Sequence, residues 1–203
     1  MLFIQSFILI LFFGSSCYVI KDKIRKWSLK KWVYLSYGFV SVVVGALLFI
    51  NEPDKHKMLL EFLLFQGLYL ASLVDCYIKE VPNRLLLLLL GVWAIMLGIQ
   101  VISVGNILVV SKVFVNFVIC FAFLAVCYLL LRRGMGMGDV KLLFIIGIYT
   151  SFTEMIQILF FGALIAFVFS MAYSARKKMD RKREYPFVPF LCLGYVINLF
   201  LYK

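Results

Sequence analysis

Charged residues are scarce in this chain, and their scarcity excludes an ordinary soluble fold. Only 15% of the 203 residues are Asp, Glu, Lys or Arg, there is a single histidine, and 65% of the residues are hydrophobic. Soluble domains carry about 25% charged residues and roughly 45–50% apolar ones. Because a fold of this size has too little interior to hide the excess apolar surface, lipid must surround most of the chain.

Segments in which apolar and polar residues alternate are also missing, and this argues against a transmembrane barrel. The apolar stretches are continuous runs of Leu, Ile, Phe and Val, and a spanning helix needs about 20 such residues. Suitable runs fall near 2–20, 32–50, 58–78, 85–104, 106–131, 154–174 and 186–202. A shorter run, 140–150, is a short span, a tilted half-helix or a re-entrant segment, and length alone does not decide among them. We therefore expect an all-α, polytopic integral membrane protein that forms a single domain over residues 1–203.

The basic residues predict how the helices alternate across the membrane. The loops 21–31, 79–84, 132–141 and 176–183 hold 17 of the 21 Lys and Arg residues. Since cytoplasmic loops are enriched in Lys and Arg, these loops are expected on the cytoplasmic side. Counting 140–150 as a crossing gives about eight transmembrane helices, within a range of six to eight, with both termini outside. The net charge of +11 is explained by this topology, so nucleic acid is not an expected partner.

The cysteines do not form a metal-binding pattern. The sequence contains no CxxC pair and no Cys/His cluster among Cys17, Cys76, Cys120, Cys127 and Cys192. Metal sites built from cysteine use such short spacings. We interpret these cysteines as small apolar packing residues and expect neither zinc nor another metal.

Two aspartates differ from the other acidic residues in their position. Asp75 ends an apolar run just before Val81-Pro82-Asn83, and Asp139 follows a glycine-rich segment and opens the run 140–150. The expected topology puts both at the cytoplasmic ends of helices, at one depth. A carboxylate inside a membrane costs about 2.5–3.5 kcal/mol at a helix centre and less near the interface. Either residue alone is explained as an interfacial side chain, whereas the pair at one depth indicates a functional site.

Two carboxyl groups within hydrogen-bonding distance can hydrolyse a peptide bond. They cannot both ionise easily, so they share one proton. The ionised group activates a water molecule as general base, while the protonated group polarises the scissile carbonyl. Since the titration belongs to the pair, the sequence does not assign base and acid to Asp75 and Asp139 individually.

The glycines before Asp139 have two interpretations. No strand precedes them and no GxxxxGK[ST] spacing is present, so a phosphate-binding loop is not predicted. Gly136 and Gly138 would let an extended substrate strand lie close to Asp139. They would equally allow close packing between helices, and the sequence leaves both possibilities open.

Four segments of the chain match one known family in order. These are Gly14-Ser15, Asp75 followed by Val81-Pro82-Asn83, the stretch from Gly136 to Leu143 that reads GMGDVKLL, and the PFVPF stretch from Pro186 to Phe190. With these segments the chain resembles the type IV prepilin peptidase family of GxGD membrane aspartyl proteases. The resemblance implies that Asp75 and Asp139 are catalytic. It also implies an active-site or substrate-binding role for Pro82, Asn83, Gly136, Gly138 and Lys141, and a structural role for Pro186, Phe187 and Pro189.

The resemblance also implies a reaction and a place for it. The family cleaves the basic leader from prepilin-like precursors at the cytoplasmic face of the bacterial inner membrane, in pilus assembly or protein secretion. The implied partners are a precursor protein and the lipid bilayer. Longer members carry a CxxC insertion between the first two spans, whereas this chain has the short basic loop 21–31 there. Methylation with S-adenosylmethionine is therefore not expected, and no cofactor is expected for the cleavage.

A second class of function competes with the peptidase. The acidic residues could handle ions or protons in a membrane transporter or an assembly factor. Transporters often contain internal repeats and broken helices near the middle of the membrane. Neither feature is visible in the sequence, and this favours the peptidase.

Overall fold

The computed structural model describes residues 31–51, 54–79, 81–104, 107–130, 136–176 and 186–202. The first apolar run, 2–20, and the Gly14-Ser15 match lie outside the described residues.

The described residues form seven α-helices. They are α1 (Lys31–Asn51), α2 (Lys55–Ile78), α3 (Asn83–Val104), α4 (Ile107–Leu130), α5 (Met137–Tyr149), α6 (Phe152–Arg176) and α7 (Val188–Tyr202). Within these ranges there is no strand, and this confirms the predicted all-α class. By length and composition, α2, α3, α4 and α6 are able to cross a membrane. The number of crossings and the location of both termini outside stay predictions.

Helix α2 forms the centre of the bundle. Over its most apolar stretch 61% of α2 is buried, compared with 22%, 11% and 17% for α3, α4 and α6. Helices α1, α3, α5 and α7 all pack against α2. The outer helices expose large apolar side chains such as Phe114 and Phe167, which is the arrangement expected where lipid is the solvent.

Local sequence signals define both ends of α2. Asp54 caps its start, because the Oδ1 atom accepts a hydrogen bond from the His56 amide at 2.9 Å. At its other end Lys79 takes a left-handed conformation with φ 56°, which is uncommon for a residue with a side chain. The Lys79 amide donates to the carbonyl oxygen of Asp75 at 2.9 Å. This turn sends the chain directly to Val81 and Pro82, and α3 begins at the next residue.

Helix α5 is shorter than a bilayer is thick. It contains 13 residues and so rises about 20 Å, whereas the hydrocarbon core of a membrane is about 30 Å. Thr150 and Ser151 alone connect α5 to α6. The apolar run 140–150 is therefore a short helix that turns directly into a long one.

Helices α6 and α7 approach each other closely through glycines. A Cβ atom on Gly194 would lie 2.6 Å from the carbonyl oxygen of Ile158 and 2.7 Å from the amide nitrogen of Gly162. Small residues let membrane helices make such backbone contacts. Helix α7 also packs against α2, and its start lies next to the end of α2, where Asp75 lies.

Candidate active site

Asp75 lies in the last turn of α2 and is almost fully buried, with 5% of its surface exposed. Its Oδ2 atom accepts a hydrogen bond from the backbone amide of Val188 at 3.0 Å. Val188 is the first residue of α7, and the first amides of a helix have no partner within that helix. A carboxylate of α2 thus caps α7 from outside, at the positive end of its dipole. The PFVPF segment and Asp75 are therefore parts of one site.

Asp139 lies in the first turn of α5, where its amide donates to the carbonyl oxygen of Gly136 at 3.1 Å. Burial raises the pKa of the Asp139 carboxyl to about 6, and the negative charge of Asp75 contributes to this increase. The charge of one aspartate therefore acts on the other. The two aspartates predicted from the sequence are neighbours in the fold.

The glycines before Asp139 allow close contacts within the site. Gly136 precedes α5 as its N-cap, and a Cβ atom there would lie 3.2 Å from the Oδ2 atom of Asp139. A Cβ atom on Gly138 would lie 3.3 Å from the Cβ atom of Val81. Since Val81 follows the turn that ends α2, Gly138 lets the start of α5 lie against the loop after Asp75. Of the two interpretations left open above, these contacts match close packing, and contact with a substrate strand stays a prediction.

Lys141 and Asn83 link α5 to α3 at the same end of the bundle. The Nζ atom of Lys141 donates to the Oδ1 atom of Asn83 at 3.2 Å, in an exposed position. Pro82 directly precedes Asn83, which is the first residue of α3. Lys141 therefore faces α3, and the fold brings together the VPN, GMGDVK and PFVPF segments, which are far apart in the sequence.

Comparison with known families identifies the protein at the level of its family. A family model described as the type IV leader peptidase family matches residues 62–171, which is more than half of the chain. The chain belongs to the type IV leader peptidase family. The matched range includes Asp75, the VPN segment and the GxGD segment, and it ends before PFVPF. No curated protein and no solved structure matches the chain.

An apolar cavity of about 710 Å³ lies beside this candidate site, between α3, α4 and α5. Its lining includes Leu87, Leu90, Phe121, Ala125 and Phe144. Asn83, Met137 and Lys141 also line it, so the cavity reaches the residues next to Asp139. Sequence analysis did not find this cavity, because three helices that are distant along the chain form it together.

Polar side chains inside the apolar runs were also missed. Trp93 and Asn116 donate hydrogen bonds to backbone carbonyls at the end of α5. A polar amide in the middle of the run 106–131 is a signal that would have found Asn116, because such groups in membrane helices require partners. Among the described residues, no group of three or more His, Cys, Asp or Glu side chains is arranged to hold a metal ion.

Proposed function

We propose that this protein is an aspartyl endopeptidase that removes the leader from a prepilin-like precursor, with Asp75 and Asp139 as its catalytic pair. The observation that carries the proposal is that the buried carboxyl of Asp75, at the end of α2, and the carboxyl of Asp139, at the start of α5, meet where Gly138 packs against Val81, in a chain that belongs to a leader peptidase family. Family membership favours this activity over a transporter or an assembly factor.

The reaction follows from two neighbouring carboxyls that share one proton. The ionised carboxyl takes a proton from a water molecule, and the resulting hydroxide attacks the carbonyl carbon of the scissile bond. The protonated carboxyl donates to the carbonyl oxygen and helps stabilise the tetrahedral intermediate. A proton then passes to the leaving amine as the C–N bond breaks. These steps need no cofactor, and we do not propose methylation with S-adenosylmethionine.

We place the reaction at the cytoplasmic face of the bacterial inner membrane. Asp75 lies one helical turn before the predicted cytoplasmic loop 79–84, and Asp139 lies within the predicted loop 132–141. Loops rich in Lys and Arg mark that side. A basic leader is attracted there by anionic lipid headgroups, which brings the cleavage point to the depth of the aspartates.

The apolar cavity suggests how the substrate lies during cleavage. Asn83 and Lys141 line it beside the start of α5, and the rest of its lining is mostly apolar. A polypeptide segment inside the hydrocarbon region must be helical, because its backbone finds no other partners there. We propose that an apolar helix of the precursor lies in this cavity while the adjoining bond reaches the aspartates.

Cleavage by purified protein in liposomes tests the proposal. The substrate is a precursor with a basic leader and an apolar helix, and mass spectrometry identifies the product. Asp75→Asn and Asp139→Asn keep the side-chain shape but remove the shared proton, so each should lower kcat by about 10²–10⁴-fold. The matched control is Asp54→Asn, at the other end of the same helix, where asparagine caps as well as aspartate. Near-normal cleavage by either catalytic variant, or no cleavage by the wild type, would refute the proposal.

A further inference from the structure

The C-terminal end of α5 lies between its neighbours, and side chains bind its last carbonyl groups. The Nδ2 atom of Asn116 donates to the Gly147 oxygen at 2.8 Å, and the indole nitrogen of Trp93 donates to the Ile148 oxygen at 2.9 Å. Thr150 donates to the Ile146 oxygen at 2.8 Å. The last four carbonyls of a helix have no partner within it, and lipid offers none. α3 and α4 therefore supply the partners that water would give elsewhere.

Two more hydrogen bonds fix the same end of α5. The Tyr149 hydroxyl donates to the Leu89 oxygen in α3 at 2.7 Å. The Oδ1 atom of Asn116 accepts from the Phe152 amide at 2.9 Å. The Asn116 side chain thus binds both the end of α5 and the start of α6. We call Trp93, Asn116 and Tyr149 the α5 seat.

Close packing at Gly147 further restricts the position of α5. A Cβ atom on Gly147 would lie 2.7 Å from the Cys120 sulfur and 2.8 Å from the Met155 sulfur. Glycine at this position therefore brings the α5 backbone directly against α4 and α6. Directional hydrogen bonds to α3 and α4, together with close packing against α4 and α6, give α5 one preferred height and one preferred rotation.

The opposite end of α5, which carries Asp139, packs against Val81 but has fewer directional contacts. Gly136 supplies no side-chain cap, and the bond from Lys141 to Asn83 is exposed and 3.2 Å long. Asp139 lies nine residues before Ile148, which is about 14 Å along a continuous helix. A helix of this length moves as one body, so the seat controls the position of the Asp139 carboxyl.

We propose that Trp93 and Asn116 are positioning residues, which place Asp139 opposite Asp75 by holding the far end of α5. The inference rests on the proposed function of the two aspartates, and neither positioning residue touches the reacting atoms. A misplacement of about 1 Å can cost roughly 10²-fold in rate even when it originates far from the chemistry. Loss of the seat should therefore lower kcat and leave KM nearly unchanged.

A disulfide-trapping assay measures the position of α5 without using cleavage. Val81→Cys and Gly138→Cys are combined with Cys76→Ser, which removes a neighbouring exposed thiol. The Cβ atoms at 81 and 138 are about 3.3 Å apart, close to the separation in a disulfide. Oxidation with copper phenanthroline is followed by mass spectrometry of the linked peptides. The rate of cross-linking then reports how closely the start of α5 approaches the loop after Asp75.

Asn116→Leu, which removes the seat amide at nearly constant size, should slow this cross-linking at least about fivefold. In the otherwise native chain it should lower kcat about 10–100-fold, with KM within about twofold. The matched control is Asn198→Leu, which removes the amide hydrogen bond to Gln157 at 2.9 Å from α6 and α7. The control should leave the cross-linking rate and kcat within about threefold of the wild type.

Support requires that Asn116→Leu slows both cross-linking and cleavage. A normal cross-linking rate, or a normal kcat despite slow cross-linking, would overturn the positioning role. Should Asn116→Leu fail to accumulate, Trp93→Phe, which loses the indole N–H together with part of the ring volume, decides the question by the same criteria. Continued cleavage by Asp75→Asn would instead refute the proposed function, and the cross-linking result would still describe the seat.

Discussion

Helix α2 carries a buried carboxylate near each end, and their surroundings differ in the sign of the neighbouring charge. Glu61 is fully buried, and the Nζ atom of Lys57 lies 3.8 Å from its carboxylate, one turn away. Asp75 is buried almost as completely, but its electrostatic neighbour is Asp139. Among the described residues, no Lys or Arg forms an ion pair with either aspartate.

The charge of the nearest neighbours helps to distinguish a reactive carboxylate from a structural one in a membrane bundle. Glu61 has the Lys57 cation beside it, and the Tyr195 hydroxyl donates to the Glu61 backbone oxygen at 2.9 Å. That end of α2 therefore has a structural explanation. A like charge beside Asp75 favours a shared proton, which is what acid–base chemistry uses. Burial alone does not separate the two residues, whereas the neighbouring charge does.

The largest contrast is expected between Asp75→Asn and Glu61→Gln. Both substitutions keep the shape of a buried carboxylate and remove its charge. Asp75→Asn should lower kcat about 10²–10⁴-fold because the dyad loses a catalytic group, whereas Glu61→Gln should leave kcat within about threefold. Cleavage in liposomes at equal protein amounts measures both. Equal losses in the two variants would show that the comparison of charges has no predictive value.

Alanine substitutions at Gly194 and Gly138 should distinguish a glycine needed for stability from a glycine needed for activity. Gly194→Ala puts a methyl group 2.6 Å from a backbone oxygen, which cannot move aside easily, so it should destabilise the fold by about 1–3 kcal/mol or more. Gly138→Ala puts a methyl group 3.3 Å from the Val81 side chain and 3.7 Å from the Val81 amide nitrogen, an ordinary van der Waals distance. It should retain the melting temperature in detergent and lower kcat about tenfold by displacing Asp139. A large stability loss in Gly138→Ala would contradict this assignment.

Filling the cavity should weaken substrate binding. Ala125→Phe on α4 projects into the cavity beside the site, whereas Ala163→Phe on α6 enlarges an exposed position outside its lining. If an apolar helix of the substrate binds in the cavity, Ala125→Phe should raise KM about tenfold and change kcat little, since it removes uniform binding. Ala163→Phe should behave like the wild type. An unchanged KM in Ala125→Phe would place the substrate elsewhere.

The pH profile should report on the coupled pair. Burial and the charge of Asp75 raise the pKa of Asp139 to about 6, so the carboxyl keeps its proton below that pH and loses it above. If the pair needs one proton, kcat/KM should fall as pH rises through about 6, by up to about tenfold per unit. Glu61→Gln should retain the same profile. A rate that is constant from pH 5 to about 8 would contradict a shared proton.

The smallest effect is expected at Lys141. Its hydrogen bond to Asn83 is exposed, and such bonds contribute only about 0.5–1.5 kcal/mol. Lys141→Met should therefore change kcat by less than about threefold, provided that the seat holds α5 as we propose. A much larger loss would move the positioning role from the seat to the contact between Lys141 and Asn83.

The sequence located most helices within a few residues. The runs 85–104, 106–131 and 154–174 correspond to helices Asn83–Val104, Ile107–Leu130 and Phe152–Arg176. Continuous apolar runs bounded by charged or helix-breaking residues define spanning helices, because lipid tolerates no other way of satisfying the backbone. The run 140–150 was different, because a short apolar segment is compatible with several structures.

The site was predicted in part. Asp75 and Asp139 were selected from their positions at helix ends, and the family match covers both. The turn at Lys79, the capping of α7 by Asp75 and the contact between Gly138 and Val81 were not predicted. The turn depends on a single dihedral angle, and the other two features are contacts between segments that are far apart along the chain. Neither kind of feature leaves a periodic signal in the sequence.

The amino-acid sequence alone indicated the solvent, the helical class, the approximate helix limits and the two aspartates as candidate catalytic residues, because these follow from hydrophobic length and from the cost of charge in lipid. Only the tertiary structure decided that α5 ends among α3, α4 and α6, that a cavity opens between three helices, and that Glu61 has a cation beside it while Asp75 has a second carboxyl. The physical reason is that the pairing of polar groups depends on helix rotation and depth, which packing sets.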